Sequence, residues 1–274
     1  MAVPDVKLNN DIMIPQLGLG VYKAHEGREV QETVRAALEV GYRSIDTAAL
    51  YGNEHGVGLA LSESDVARSD VFITTKVWNA DQGYDSTLKA FDVSMHRLGV
   101  DYVDLYLVHW PVARHFKKTW QALERLYDQK VVRAIGVSNF QTHHLDELLA
   151  DANVVPAVNQ VELHPHLSQV ELRRYCADKD IAVESWSPLM HGGEVLRDAT
   201  VLQLAEQHGK TPAQIVLRWH IQHGLIAIPK TVTPERLREN IEIFDFELSS
   251  SDMQSIDQLN QDKRIGSDPD NFDF

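Results

Sequence analysis

The chain has 274 residues, 43% of them hydrophobic, and a formal net charge of -14 at pH 7. This length and apolar share indicate one packed α/β domain over residues 1–274, rather than two small domains or a disordered chain. So acidic a surface repels nucleic-acid phosphates and anionic membranes, so we expect neither as a partner. An anionic ligand must therefore be held by a local group of cations.

Cysteine usage and the N-terminus bear on the compartment. Cys176 is the only cysteine, so no intramolecular disulfide can form, which fits a reducing compartment. Residues 1–16 lack the basic and apolar regions of a signal peptide. No apolar run approaches the ~20 residues that a helix needs to cross a bilayer. We therefore expect a soluble, cytoplasmic protein.

The first predicted element is a β-hairpin in VKLNNDIMIP, with Asn10 and Asp11 at its turn. Eight short apolar runs follow, rich in Val, Ile and Leu, as is typical of strands that are buried on both faces. In chain order they are QLGLGV, YRSID, VFITTK, VDLYLVH, VRAIGVSN, AVNQVEL, AVESWSP and LIAIPK.

Segments with helical periodicity separate these runs. The first carries an apolar stripe of Val30, Val34, Ala37 and Leu38. Glycines stand where such helices would end, and Thr-Pro pairs at 211–212 and 233–234 where others would begin. A further capped helix is predicted in SSSDMQSIDQLN, near the C-terminus.

Strands alternating with helices predict a (β/α)8 TIM barrel, with the N-terminal hairpin closing its bottom and an extra C-terminal helix. The rival is an open doubly wound sheet, whose dinucleotide-binding form carries three spaced glycines after its first strand. Here the first strand continues as GLGVYK, with Lys23 in place of the third glycine. This favours the barrel.

Ionisable residues stand where three predicted strands end. Asp46 ends the second strand, Lys76 the third and His109 the fourth, and Tyr51 follows Asp46 by five residues. The carboxyl ends of the strands meet at one rim of a barrel, where active sites lie. Free tyrosine, with a pKa of ~10, is a poor acid at neutral pH, and a nearby ammonium lowers that pKa. The set predicts proton transfer through Tyr51.

Simpler readings exist for each residue alone. An Asp-Lys pair is often a plain salt bridge, and a tyrosine or histidine after a strand is often packing. Lys76 can also be read as the Schiff-base lysine of an aldolase. The convergence of all four residues at one rim favours the catalytic reading.

A second group of residues indicates an anion site at the end of the eighth strand. Lys230 ends that strand, and Arg236 lies in the first turn of the helix predicted to begin at Thr233-Pro234. Barrels often bind phosphate at this place with help from a helix N-terminus. The alternative is that Arg236 and Arg238 form ordinary helix-surface pairs with Glu235, Glu239 and Glu242.

Four blocks of the sequence resemble the signatures of the aldo-keto reductases, and the resemblance extends over essentially the whole chain. The blocks are GYRSIDTAALYGNEHGVG, VRAIGVSNF, VNQVELHP and IPKTVTPERLRENI. The subgroup that they resemble most contains microbial diketogluconate and glyoxal reductases and trypanosomatid prostaglandin F synthases. The resemblance implies a monomeric, NADPH-dependent barrel that reduces aldehydes and ketones to alcohols.

The resemblance also implies roles for individual residues. Tyr51 becomes the general acid, supported by Asp46, Lys76 and His109. Ser138, Asn139 and Gln160 contact the nicotinamide carboxamide, Trp186 stacks on the nicotinamide ring, and Ser187, Pro188 and Leu189 continue along the pyrophosphate. The adenosine 2′-phosphate is held by Lys230, Thr231, Thr233 and Arg236, and the adenine contacts Glu239 and Asn240.

Aromatic residues at the same rim suggest a wall for a small carbonyl substrate, although plain packing is the alternative. They are Tyr22, Trp78 and Trp110. The short segment after Trp110 and the short tail after Lys263 suggest an open pocket. The histidines show no metal-binding spacing, so no metal is expected. A nucleotide-binding regulatory subunit on the same barrel remains a rival function.

Overall fold

The computed structural model describes residues 3–272, and its main sheet has eight strands, all parallel to their neighbours. Parallel bridges from Leu17 to Ala227 and from Gly20 to Lys230 join the first strand to the last. The sheet therefore curls into the predicted barrel. Its strands are β3 (Leu19–Gly20), β4 (Ser44–Asp46), β5 (Phe72–Val77), β6 (Val103–Val108), β7 (Val132–Ser138), β8 (Val158–Glu162), β9 (Ala182–Trp186) and β10 (Ile226–Ala227).

Helices alternate with these strands, as the periodicity predicted, and the apolar stripe of the first helix is buried. Two helices lie between β9 and β10, and two follow β10. The helices are α1 (Arg28–Val40), α2 (Glu54–Ser62), α3 (Tyr84–Leu98), α4 (Phe116–Asp128), α5 (Thr142–Leu149), α6 (Val170–Asp178), α7 (Ala199–His208), α8 (Pro212–Gln222), α9 (Pro234–Ile241) and α10 (Ser250–Asp257). Within residues 3–272, none is both long and apolar enough to cross a membrane.

The predicted additions at both ends of the chain are confirmed. The hairpin pairs β1 (Asp5–Lys7) antiparallel with β2 (Met13–Pro15). Leu8 and Ile14 from this hairpin are buried in one cluster with Val158 and Ile226, the first residues of β8 and β10, so the hairpin closes the N-terminal end of the barrel. The extra C-terminal helix is α10, which begins at a capping box.

Glycine at position 136 is dictated by close packing inside the barrel. A Cβ atom there would lie 2.6 Å from the backbone oxygen of Val158 and 2.8 Å from Leu107 Cδ2. Neither the oxygen nor the strand that carries it can move away cheaply. We expect Gly136→Ala to lower the free energy of unfolding by about 1–3 kcal/mol, as overpacked cores do.

Chemical denaturation of Gly136→Ala beside Gly20→Ala checks this expectation. A Cβ at position 20 would approach the Ile228 oxygen to only 3.1 Å, so the loss there should be smaller. Equal losses at both positions would contradict the packing argument.

Candidate active site

The predicted acid-base residues converge at the carboxyl end of the barrel. Lys76 Nζ donates hydrogen bonds to both carboxylate oxygens of Asp46 at 2.7 Å and to the backbone oxygen of Thr47 at 3.0 Å. The same nitrogen lies 3.4 Å from the hydroxyl of Tyr51. Lys76 is fully buried, so the ammonium acts on the phenol in a medium that screens charge weakly. The Tyr51 ring packs edge-on against His109, with the ring centroids 5.7 Å apart.

Burial and charge set the protonation of these groups. Burial raises the pKa of Tyr51 to about 12, and Lys76 opposes that rise. The expected lowering by the ammonium is present, but a net lowering is wrong for this structure because burial outweighs it. Burial disfavours the charged form of Lys76, yet the attraction of Asp46, Tyr51 and Glu184 leaves its pKa raised. Burial and the nearby Lys76 hold the pKa of His109 well below its usual value.

The loop that carries Tyr51 is fixed by residues that the sequence analysis did not single out. Asn53 is buried, accepts a hydrogen bond from Thr47 Oγ1 at 2.7 Å, and donates to the backbone oxygens of Val21 and Ala24. These contacts tie the turn after β4 to the loop after β3. The turn itself is the 3-10 helix Ala49–Tyr51. The phenol therefore stands on a rigid support.

The residues predicted to contact the nicotinamide form one hydrogen-bonded group at the ends of β7 and β9 and in the middle of β8. Trp186 Nε1 donates to Asn139 Oδ1 at 2.8 Å, and Asn139 Nδ2 donates to the backbone oxygen of His109 at 3.0 Å and to Ser138 Oγ at 3.1 Å. Gln160 Nε2 reaches Asp46 Oδ2 at 2.8 Å, which connects the group to the acid-base residues.

Backbone strain marks the loop after β9. Ser187 has a φ of 50°, Met190 of 48° and His191 of 55°, all in the left-handed region that non-glycine residues seldom adopt. Pro188 and Leu189 lie between them. Strained backbone of this kind clusters at ligand sites, where surrounding structure holds it in place. The loop is the one predicted to follow the pyrophosphate.

The predicted phosphate-binding residues form a separate group at the end of β10 and the start of α9. Lys230 and Arg236 are exposed, and neither makes an ion pair with another residue of the described range 3–272. The surface pairing proposed as the alternative for Arg236 is therefore not formed. Thr233 precedes α9 without capping it through its side chain. Pro234 has no N–H and the amide of Arg236 donates to the Thr233 oxygen, so the amide of Glu235 is left without a helix partner.

The other members of this group are partly engaged elsewhere. Thr231 Oγ1 accepts a hydrogen bond from the amide of Thr233 at 3.0 Å. Glu239 Oε1 accepts one from Thr211 Oγ1 at 2.6 Å, which uses part of the accepting capacity of its carboxylate. Asn240 is buried.

Two of the three aromatic residues predicted to contact substrate pack against Tyr51 and His109. The Tyr22 ring lies 4.9 Å from that of Tyr51, and the Trp78 ring lies 5.3 Å from that of His109. Trp110 is buried beneath Phe272 of the C-terminal tail, with ring centroids 4.0 Å apart. The tail is short, yet its Phe272 adds a fourth aromatic residue to this group. The tail therefore covers more of the site than its short length suggested.

The tail is held down at two further points. Glu162 is buried and accepts hydrogen bonds from the amides of Ile265 at 2.7 Å and Gly266 at 2.9 Å. Asp270 lies 3.1 Å from His143 Nε2 and 3.6 Å from His144 Nε2. These three side chains could together ligate a cation. However, Nδ1 of His144 accepts a hydrogen bond from the amide of Gln141, so the ring proton lies on Nε2 and this nitrogen cannot bind a cation. Their evident role is to pin the tail to α5.

Comparison with known proteins assigns the chain to one family. The profile of the aldo/keto reductase family matches residues 16–261. The chain belongs to the aldo/keto reductase family. The glyoxal reductase of Bacillus subtilis is 56% identical over 269 residues, which cover 98% of this chain and 97% of that protein. The 9,11-endoperoxide prostaglandin H2 reductase of Trypanosoma cruzi is 53% identical, covering 97% and 95% of the two chains.

Solved structures of aldo/keto reductases have the same fold. A Gox0644 variant in complex with NADPH superposes with a TM-score of 0.95 at 44% identity, covering the whole of both chains. Membership of this family makes the chain an oxidoreductase. The aldolase alternative also fits the site poorly, because a Schiff base needs a neutral amine and Lys76 is held as an ammonium by Asp46.

Proposed function

We propose that this aldo/keto reductase reduces the carbonyl group of small aldehydes and ketones with NADPH. The observation that carries the proposal is the buried contact of one ammonium, Lys76 Nζ, with the carboxylate of Asp46 and the hydroxyl of Tyr51. Such a contact supplies a proton donor and a way to stabilise the donor after it has lost its proton.

Tyr51 is the proposed general acid. With a pKa near 12, its hydroxyl keeps its proton at neutral pH and can give it to the carbonyl oxygen as negative charge develops there. Lys76 then stabilises the phenolate, and Asp46 keeps Lys76 charged and in place. His109 is neutral, so one ring N–H can donate to the carbonyl oxygen and orient the substrate.

The cofactor-binding residues fit a nicotinamide dinucleotide phosphate. Ser138, Asn139, Gln160 and Trp186 form a polar and aromatic group beside the acid-base residues, and the nicotinamide supplies the hydride when it is bound there. We further propose that the strained loop at 187–189 lies along the pyrophosphate, and that Lys230, Thr231, Thr233 and Arg236 hold the 2′-phosphate. Glu239 and Asn240 are proposed to contact the adenine.

We propose small carbonyls and dicarbonyls, such as methylglyoxal or diketogluconate, as the substrates. The similarity to a protein named glyoxal reductase supports this class. The aromatic residues Tyr22, Trp78, Trp110 and Phe272 near Tyr51 and His109 support it as well, because sites for small molecules are lined mainly by apolar and aromatic side chains. We also propose a monomer, as the family resemblance of the sequence implies, and a cytoplasmic location, which the single cysteine favours.

Loss of NADPH absorbance in the presence of methylglyoxal and a panel of small aldehydes tests the proposal. We expect turnover with NADPH that exceeds turnover with NADH. An absence of turnover with every carbonyl, together with tight NADPH binding, would contradict the proposal and favour the nucleotide-binding regulatory role.

Arg236→Ala tests the phosphate site. We expect the KM for NADPH to rise by about 10- to 100-fold, since a hydrogen bond to a charged group is worth about 1.5–3 kcal/mol. The KM for NADH, which lacks the 2′-phosphate, should not change. Arg238→Ala is the matched control, because Arg238 is also an exposed residue of α9. Equal effects of Arg236→Ala on both cofactors would place the phosphate elsewhere.

A further inference from the structure

Glu184 is a buried carboxyl group in the barrel that the proposed proton transfer does not use. It lies in the middle of β9, is fully buried, and accepts a hydrogen bond from Gln160 Nε2 at 2.7 Å through Oε2. Its other oxygen, Oε1, is buried without a hydrogen-bond partner among the described residues. A buried carboxyl oxygen without a hydrogen-bond partner lowers the stability of the fold, so a purely structural role explains Glu184 poorly.

The hydrogen bonds of Gln160 show what Glu184 does to its neighbour. Gln160 Nε2 has two protons, and they are shared between Glu184 Oε2 and Asp46 Oδ2 at 2.7 and 2.8 Å. Ionised carboxylates only accept hydrogen bonds, so two of them facing the amide fix its nitrogen on their side. No described residue donates to Gln160 Oε1, and this oxygen is not among the fully enclosed atoms that lack a partner. It is left to accept from a ligand.

The charges around Glu184 come from two strands. Asp46 on β4 and Lys76 on β5 act on it, while its register partners on the flanking strands, Gln160 and Ile226, do not titrate. Burial, with help from Asp46, raises the pKa of Glu184 to about 7. The group therefore exchanges its proton near neutral pH. Above that pH, Lys76 faces two carboxylates; below it, Lys76 faces one.

We propose that Glu184 is a positioning residue that, with Asp46, orients the Gln160 amide so that its oxygen receives the carboxamide of the nicotinamide. The inference rests on the proposed function. When Glu184 is ionised, the amide is locked in the binding orientation. When Glu184 is protonated, it can donate to Gln160 Oε1, the amide can turn, and the carboxamide loses its acceptor. NADPH should therefore bind more tightly above neutral pH than below it.

Glu184→Gln tests the proposal, because it keeps the shape of the side chain and removes its titration. NADPH binding is measured by fluorescence titration between about pH 6 and about pH 8 for wild type and variant. The ratio of the two dissociation constants cancels ionisation of the cofactor itself. We expect this ratio to change by about 2- to 10-fold across that range, the equivalent of one hydrogen bond. A ratio that is constant with pH would overturn the proposal.

Gln160→Met provides an independent check if Glu184→Gln does not fold. It removes the amide and should abolish the same pH-dependent part of NADPH binding, whereas an unchanged pH dependence would overturn the proposal. Carbonyl turnover of the wild type separates the two hypotheses. If turnover is normal and the ratio of the NADPH dissociation constants does not change with pH, only the role of Glu184 is contradicted. If turnover is absent, the proposed function is contradicted.

Discussion

Tyr51→Phe is expected to slow carbonyl reduction by about 10²- to 10⁴-fold, the range that a positioned general acid contributes. The substitution removes the hydroxyl that lies 3.4 Å from Lys76 Nζ and leaves the ring that packs against His109 and Tyr22. Without it, the developing charge on the carbonyl oxygen has no proton donor. The dissociation constant for NADPH should stay within a few-fold of wild type, because the hydroxyl is not among the proposed cofactor contacts.

Steady-state kinetics with methylglyoxal and fluorescence titration with NADPH measure the two quantities. Tyr22→Phe is the matched control, since its ring lies beside that of Tyr51 but its hydroxyl has no contact with Lys76. It should retain nearly full activity. Similar losses in both variants would show that the phenol of Tyr51 has no special role in proton transfer.

Lys76→Met is expected to lower the free energy of unfolding by about 3–5 kcal/mol, the usual cost of breaking a buried ion pair by removing one partner. Lys76 is fully buried and pairs with Asp46, and Glu184 lies near enough to feel its charge. Its removal leaves two buried carboxyl groups without a cation. The variant should also lose most of its reductase activity, because the phenolate of Tyr51 is no longer stabilised.

Equilibrium denaturation measures the stability of Lys76→Met. Lys117→Met, which breaks an exposed pair with Asp151, should cause no comparable loss. The double variant Asp46→Asn, Lys76→Met should recover part of the stability, because it removes one uncompensated charge. A stable single variant would mean that water or a shift in protonation relieves the carboxyl groups at little cost.

Much of the barrel could be predicted because its strands are buried on both faces. Runs such as VFITTK and VDLYLVH consist mostly of apolar or β-branched residues, and both became six-residue strands. The runs QLGLGV and LIAIPK gave only the two-residue strands Leu19–Gly20 and Ile226–Ala227. At the seam between these two strands, single bridges replace a full ladder, which an apolar pattern cannot reveal.

The proximity of Asp46, Lys76, Tyr51 and His109 was also predictable, because each lies at or just after a strand end. The direction in which the pKa of Tyr51 is shifted was not predictable. The sequence shows the ammonium that lowers its pKa but not the depth of burial that raises it. Sequence distance similarly hid Phe272, which reaches Trp110 from the far end of the chain.

Other residues of the site carried a signal that was overlooked. Glu162 and Glu184 are carboxyl groups inside strands that were predicted to be buried, where a charged residue needs a specific partner. Asn53 had no such signal, since an asparagine after a tyrosine in a turn is common at the surface. Its burial and its three hydrogen bonds follow only from the tertiary structure.

Direct detection of hydride transfer tests the central claim. NADPH that carries deuterium at the transferring position of its nicotinamide would be incubated with the wild-type protein and methylglyoxal, and the product analysed by mass spectrometry. We predict one deuterium on the carbinol carbon of the product alcohol, and almost no labelled product with Tyr51→Phe. A product without deuterium, or substrate trapped on Lys76 by borohydride, would contradict the reductase mechanism.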